Sequence, residues 1–418
     1  MTSRFCFNIS FYENLKNLFK ILFFKQQDHE KDLKNVLSTF YKNSNFYFFD
    51  YGRTAFYEIL NQIKTKTSKR KILVNSLTLF EIINVIIYSG FQPVFVDVKK
   101  NSLNTEIDLD NLESDLDDIA AIVITHLNGI NPNIINLKTQ ITNYNKSNKK
   151  IYLIEDCAVA LGSHIDNKNA GTFGDYSFLS FNIIKNITCY TGGALIDNRN
   201  EKMDLNDSKY KILSRIDIIK KILFVTTLQS LNTKILFPIF FKIIKYSHKY
   251  SLNFFLKKYR TDFEIKIKNK FPSNFSYFMH DFQKKILINQ FNDLKKKQLS
   301  RIKKSKIYFS NLKEIKYLDF PQDEFDEKNI FLEFPIICNS KNIKDNLFEY
   351  LVNKKIDVKN YYYKNCSEEK IYNRNENYCI NSKHVSENIL MLPVHENIFE
   401  NYQQQIIQEI KNFFTEKF

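Results

Sequence analysis

The chain contains no tryptophan, and only 8 glycines and 7 prolines in 418 residues. Its six cysteines (Cys6, Cys157, Cys189, Cys338, Cys366 and Cys379) are scattered and form no Cys-x-x-Cys pair. Neither a disulfide framework nor a bound metal is expected, and a reducing compartment fits. No uninterrupted stretch of about 18 uncharged apolar residues occurs, so no membrane-spanning helix is expected. The opening residues are broken up by Asn8, Glu13, Asn14 and Lys16 and lack the apolar core and cleavage site of a signal peptide. No recognised nucleic-acid-binding module is present. These absences set the expectation of a cytoplasmic protein, with attachment at the inner membrane face left open.

What remains is ordinary globular composition: 44% apolar and 26% charged residues, enough chain for two or three domains. The net charge of +15 accompanies a visible richness in Lys, Asn, Ile and Phe. That usage suits an AT-rich coding sequence and accounts for part of the charge. Apolar positions Phe11, Leu15, Leu18, Phe19 and Leu22 fall at helical spacing, so residues 1–45 read as a mainly helical arm. Short apolar strands then alternate with helical stretches. Strands are read at Phe46–Phe49, Lys71–Asn75, Pro93–Asp97, Ile119–Thr125 and Ile151–Ile154, with a helix over Phe80–Tyr88. This alternation predicts α/β layering around a mostly parallel sheet, with ligands bound at the carboxyl ends of the strands.

One lysine stands out against that background. Ile151-Tyr-Leu-Ile ends in Glu155-Asp156, and about thirty residues on comes Phe178-Leu-Ser-Phe-Asn-Ile-Ile-Lys185, followed by Gly192-Gly193. A strand ending in a carboxylate, then a lysine held among apolar residues, is what a pyridoxal 5'-phosphate site needs. The lysine forms a Schiff base with the cofactor, and the carboxylate keeps the ring nitrogen protonated. Gly52-Arg53-Thr54 opens a helix after a strand, where backbone N–H groups and the helix dipole suit a phosphate. Ser180 is a second candidate for the same phosphate. His126, His164 and His395 are isolated histidines, more in keeping with structural roles, and Asp175 reads as a turn residue.

Together these segments resemble the DegT/DnrJ/StrS family of sugar aminotransferases. The resemblance is carried, in order, by Gly52-Arg-Thr54-Ala55, Gly90-Phe-Gln-Pro93-Val-Phe-Val-Asp97 and Thr125-His126-Leu-Asn-Gly129. It continues through Glu155-Asp156-Cys-Ala158-Val-Ala160-Leu-Gly162, Gly171-Thr-Phe-Gly174-Asp175, Phe178–Phe181 with Lys185, and Leu392-Pro393-Val-His395. It implies a fold-type I enzyme, with a large three-layer α/β/α domain and a smaller α+β C-terminal domain. The implied catalytic residue is Lys185, and the implied cofactor-binding residues are Asp156, Gly52, Arg53, Thr54, Ser180, Val159, Leu79 and Asn274. Val159 stands where the family has Gln or His against the cofactor, and Leu79 where it has a stacking aromatic. Thr191 replaces an acid before Gly-Gly. The family's Asn-x-Arg motif is blurred into Ser273-Asn-Phe-Ser-Tyr-Phe-Met279.

The resemblance implies a homodimer with a shared active site. It also implies amino transfer from glutamate to a keto-sugar, in most members nucleotide-linked, for surface polysaccharide or glycan synthesis. A lipid-linked sugar at a membrane surface and a non-catalytic scaffold binding pyridoxal phosphate or sugar are the alternatives. The expected organisation is an arm (1–45), a cofactor-binding domain (46–204), a basic apolar helical insert (205–270), a long helix linking the domains (271–330) and a small domain (331–418). Between Lys209 and Arg260 stand twelve Lys or Arg against one acid, Asp217. Three readings of that insert stay open: helices packed on the enzyme with a solvated lysine face, a segment lying on an anionic membrane (209–260), or a site for another polyanion or partner.

Overall fold

Alternating short strands and helices build one large sheet. The computed structural model describes residues 2–417 except 5, 26, 105–106, 108, 110–115, 148–149, 200, 206, 234, 250–266, 269, 322–324, 362 and 373–378. Helices α1 (Phe11–Phe23) and α2 (Glu30–Ser38) precede β1 (Asn45–Phe49). Then come α3 (Gly52–Lys66), β2 (Lys71–Asn75), α4 (Phe80–Tyr88), β3 (Gln92–Val96), β4 (Ile119–Thr125), α5 (Ile134–Ser147) and β5 (Tyr152–Asp156). A small hairpin, β6 (His164–Ile165) and β7 (Lys168–Asn169), leads to β8 (Tyr176–Ser180), β9 (Gly193–Asp197) and β10 (Lys211–Ile212). Beyond lie α6 (Arg215–Leu231), α7 (Phe237–Lys249), β11 (Tyr277–Phe278) and α8 (Asp281–Leu312). The chain closes with β12 (Leu318–Asp319), β13 (Phe334–Cys338), α9 (Lys341–Asn353), α10 (Ile380–Asn388), β14 (Ile389–Leu392) and α11 (Glu400–Lys417).

The large sheet runs β10-β11-β1-β9-β8-β5-β4-β2-β3. The run β8-β5-β4-β2-β3 is parallel throughout, whereas β9 lies antiparallel to both β1 and β8. Every residue of β4 is buried. Ala121 and Val123 face the core under α3 and α4, while Ile119, Ile122 and Ile124 face the one under α5. A strand covered on both faces must be apolar at every position, which is why Ile119–Thr125 reads as a continuous run. The second sheet, β12-β13-β14, is antiparallel and forms its own core with α9 and α11.

Helix α8 spans 32 residues, about 48 Å. Its first half buries Phe282, Leu287 and Leu294 against the large sheet's core, and its second half buries Tyr308 and Leu312 in the smaller one. The start is fixed by a cap: His280 Nδ1 accepts from the Phe282 N–H at 3.0 Å, and Gln283 Oε1 accepts from the His280 N–H at 3.0 Å.

Helix α1 forms where the periodicity predicts it, but it is turned the other way. The side chains facing the protein are Asn14, Ile21 and, partly buried, Leu18, while Phe11, Leu15, Phe19 and Leu22 are exposed. Beside buried Ile21, two polar contacts hold the inner face. Asn14 Nδ2 donates to Gln229 Oε1 of α6 at 2.6 Å, and Asn14 Oδ1 accepts from the Tyr190 hydroxyl at 2.7 Å. Within the basic stretch, α6 and α7 are helices; residues 250–266 of the expected helical insert lie outside the described residues.

Candidate active site

Strand direction gathers the site. The carboxyl ends of β1, β4, β5 and β8 meet the amino end of the reversed strand β9 along one edge of the sheet. Asp156 ends β5 and Ser180 ends β8. Lys185 follows in a loop closed at its base by the Phe181 N–H, which donates to Gly192 O at 2.9 Å. The loop is also clamped from outside: Asn8 Nδ2 donates to Lys185 O at 2.6 Å, and Gln290 Nε2 donates to Asn8 O at 2.9 Å.

Lys185 and Asp156 are electrostatically coupled across this edge. Burial pulls the Lys185 ammonium down to about 8, opposed by Asp156 and assisted by the charge on Lys359. Asp156 is buried, and desolvation raises its pKa; the Ala158 N–H at 3.0 Å, Lys185 and His126 only partly offset that. The carboxylate is therefore short of positive charge, and a protonated ring nitrogen would supply it.

Close approach makes a cradle beside them. A Cβ on Gly193 would lie 2.3 Å from the Gly52 nitrogen, and one on Gly52 would lie 2.9 Å from Leu179 O and 3.2 Å from the Ser180 Cβ. Only glycine fits at either position. No side chain caps the start of α3, and its first turn carries no acid. That helix end, with Ser180 against it, suits a phosphate. The lysine, the charge-poor carboxylate and the cradle together fit pyridoxal phosphate.

Other expected residues fall at or near this edge in different ways. The Thr54 hydroxyl donates to Phe275 O at 2.9 Å, so Thr54 reaches a phosphate through its backbone unless that bond is exchanged. Arg53 packs its guanidinium over the Phe275 ring, 4.6 Å from the centroid, and lies 3.6 Å from Glu81. Val159 is buried just past Asp156, and Leu79 stands at the start of α4. Asn274 lies in the short turn Ser273–Phe275.

The histidines divide. His126 is not isolated: its Nε2 pairs with Glu155 Oε2 at 3.0 Å, with both side chains buried. Glu155 also accepts from the N–H groups of Gly171, Phe173 and Gly174 at 2.7–2.8 Å. His395 is buried with Nε2 on Ser3 O at 3.0 Å, and burial takes its pKa down to about 4. His164 is exposed on β6. Asp175 braces a turn by accepting from the Leu153 N–H at 2.9 Å.

Two ion pairs had no sequence signal. Lys221 of α6 reaches Asp50, at the end of β1, with contacts of 2.6 and 2.8 Å. Thr191 also bonds to both, and Gln283 Nε2 donates to Asp50 Oδ1 at 3.2 Å. The second pair, Lys359 Nζ and Glu333 Oε2 at 3.0 Å, belongs to the smaller sheet's side of the cleft. Glu333 is held against the loop after β4, since Asn128 Nδ2 donates to Glu333 O at 2.5 Å. A carboxylate at the end of a strand and a lysine in a basic helix are each common, so only the tertiary contact distinguishes them.

A large mixed α/β sheet with a lysine–carboxylate pair at the strand ends defines a fold-type I, pyridoxal-phosphate-type protein. The sequence pattern of the DegT/DnrJ/EryC1/StrS aminotransferase family matches residues 11–210 and 252–411, and the chain belongs to that family. It is 32% identical over 154 residues to the UDP-4-amino-4,6-dideoxy-N-acetyl-beta-L-altrosamine transaminase of Campylobacter jejuni (strain 81-176), covering 36% of this chain and 38% of that protein. It is 34% identical over 129 residues to GDP-perosamine synthase of Escherichia coli O157:H7, covering 31% and 34% of the two chains. The chain thus spans little more than a third of the length of the curated relatives it matches.

Among solved structures, the fold is similar to Helicobacter pylori PseC, an aminotransferase of pseudaminic acid biosynthesis, with TM-score 0.68 and 18% identity over 97% of this chain and 96% of that one. It is also similar to the sugar aminotransferase CalS13 of Micromonospora echinospora, with TM-score 0.71 and 14% identity over 99% and 100%.

Proposed function

We propose that the protein is a pyridoxal-phosphate-dependent aminotransferase that moves an amino group from glutamate to a nucleotide-linked keto-sugar, in the synthesis of a surface polysaccharide or glycan. The observation that carries this reading is the coupled pair of Lys185 and Asp156 beside the Gly52–Gly193 cradle. Pyridoxal phosphate would bind covalently through Lys185 and supply an electron sink for the carbon that loses its proton. Asp156 holds the proton on the ring nitrogen. Gly52, Ser180 and the start of α3 hold the phosphate, while Val159 and Leu79 offer aliphatic surface to the ring. Lys185 Nζ, with a pKa near 8, can both take and return a proton at neutral pH.

Glutamate brings a carboxylate that needs a cation. Where the family's Asn-x-Arg motif would stand, Ser276 follows Asn274 and Phe275. Lys359 faces the same cleft, close enough for its charge to act on Lys185. In this reading Lys359 exchanges Glu333 for the donor's carboxylate. Lys359→Met is then expected to raise KM for glutamate by roughly 10- to 100-fold, the worth of a charged hydrogen bond, with a smaller change in kcat. Steady-state kinetics with varied glutamate checks it.

We expect a homodimer in which Asn274 serves the partner's phosphate. The absorption spectrum of the purified protein tests the whole reading. A visible cofactor band should appear and should fade on adding glutamate; a band that glutamate leaves unchanged would favour the non-catalytic scaffold. A pH test needs no substrate. Capture of added pyridoxal phosphate by the apoprotein requires the neutral amine, so its rate should rise with pH around 8. Asp156 raises the Lys185 pKa, so Asp156→Asn should move that rise to lower pH. Stopped-flow absorbance against pH decides it.

A further inference from the structure

Helix α1 buries Asn14 and Ile21 and leaves a second set of large apolar side chains facing outward. Phe11, Leu15, Phe19, Leu22 and Phe23 are 48–70% exposed. It packs on α6 through Asn14 and Gln229, and the Gln229 side chain also donates to Ile9 O. Helices α6 and α7 also carry exposed apolar side chains besides the ones they bury: Ile216, Leu223, Ile239 and Ile243 are 49–63% exposed. Among the described residues, most exposed large apolar side chains fall in these three helices or the turns beside them. Isolated exposed apolar residues need no explanation, but a concentration of this kind marks a surface that is covered in use.

The charge of the surroundings indicates by what. Lys16, Lys20, Lys25, Lys211, Lys220 and Lys242 are exposed on or beside the same helices. The acids are few, and two of them, Glu13 and Asp217, are engaged in capping the starts of α1 and α6. A second copy of the chain placed symmetrically on this face would set one basic surface against another, which costs energy. An anionic lipid surface supplies the opposite charge, with an apolar layer just beneath it. No helix among the described residues is long and apolar enough to cross a membrane, so the geometry is that of helices lying in the interface.

We infer that the face formed by α1 and α6 docks on an anionic membrane surface, with Phe and Leu side chains below the headgroups and the lysines among the phosphates. Lys221 links this face to the cofactor cradle through Asp50, so the active site would work close to the bilayer. A sugar acceptor carried on a lipid would be within reach there. The docking itself does not depend on the aminotransferase reading.

Vesicle flotation of the full chain loaded with pyridoxal phosphate tests the inference. The probes are phosphatidylcholine vesicles with and without 30% phosphatidylglycerol, a composition chosen for the assay. Binding is expected only with the anionic lipid. Each lysine near such a surface contributes about fivefold in partitioning, and Lys16→Glu/Lys20→Glu should lower binding by at least about tenfold. Phe19→Ser/Phe23→Ser should also lower it at least about tenfold, through lost apolar insertion. Both pairs are exposed, and the visible cofactor band verifies that the variants fold. No flotation by the wild type, or flotation that both double variants leave unchanged, overturns the proposal. So does a wild-type oligomer that Phe19→Ser/Phe23→Ser breaks apart, because the face would then be a protein interface.

Discussion

Lys185→Ala is expected to abolish transamination, with a loss of at least about 10⁴-fold, while the protein stays folded. The side chain is partly buried at the cleft and makes no packed core, whereas its backbone is held independently by Asn8 and by the closed base of the loop. Truncation leaves those bonds intact. In the proposed chemistry two functions disappear together: the covalent anchor for the cofactor and the lysine amine whose charge acts on Asp156. The variant can still retain pyridoxal phosphate through the cradle at Gly52 and Ser180, but with the absorbance of an unattached cofactor. Circular dichroism and thermal melting should match the wild type. A visible lysine-adduct band surviving in Lys185→Ala would place the anchor elsewhere and would remove the basis for the assigned chemistry.

Lys185 and Asp156, which the structure brings into one charged pair, could be singled out in the sequence because each sits in a short local pattern. Ile151–Asp156 is an apolar strand with an acid at its end, and the glycines at 192–193 bracket the lysine loop. Helical periodicity likewise located α1, α4 and the long α8. What periodicity could not supply was the direction of a face. An apolar stripe normally predicts the buried side, yet on α1 Asn14 is buried beside Ile21 while Phe19 is exposed, because Asn14 finds hydrogen-bond partners in Gln229 and Tyr190. The partners that complete the site were equally hidden. Asn8 and Lys185 are 177 residues apart, and Lys221 and Asp50 are 171 apart. Such pairings depend on how the sheet is wound, and local spacing carries no trace of them. His126 looked solitary for the same reason: its partner Glu155 lies on the next strand of the sheet, 29 residues later.

Lys221→Met is expected to destabilise the protein by about 3–5 kcal/mol, the cost of leaving a buried charge without its counterion. Asp50 is 1% exposed and sits two residues before Gly52, at the base of the phosphate cradle. With Lys221 gone, Thr191 and Gln283 still donate to the carboxylate, but neither carries charge. The stranded carboxylate then has to draw in water, which moves the β1–α3 junction on which Gly52 depends. The variant should therefore lose affinity for pyridoxal phosphate as well as stability, although Lys221 is argued to act through Asp50 and not on the cofactor itself. A second substitution separates these effects. Asp50→Asn in the Lys221→Met background removes the stranded charge while keeping the amide's shape, and should recover much of the lost stability. Denaturant unfolding of the two single variants and the double variant, each with and without cofactor, measures the coupling. If the double variant is as unstable as the sum of the single ones, the ion pair is not what ties α6 to the cradle, and the helix is held there by its other contacts, the apolar ones at Ile218, Ile222 and Val225 among them.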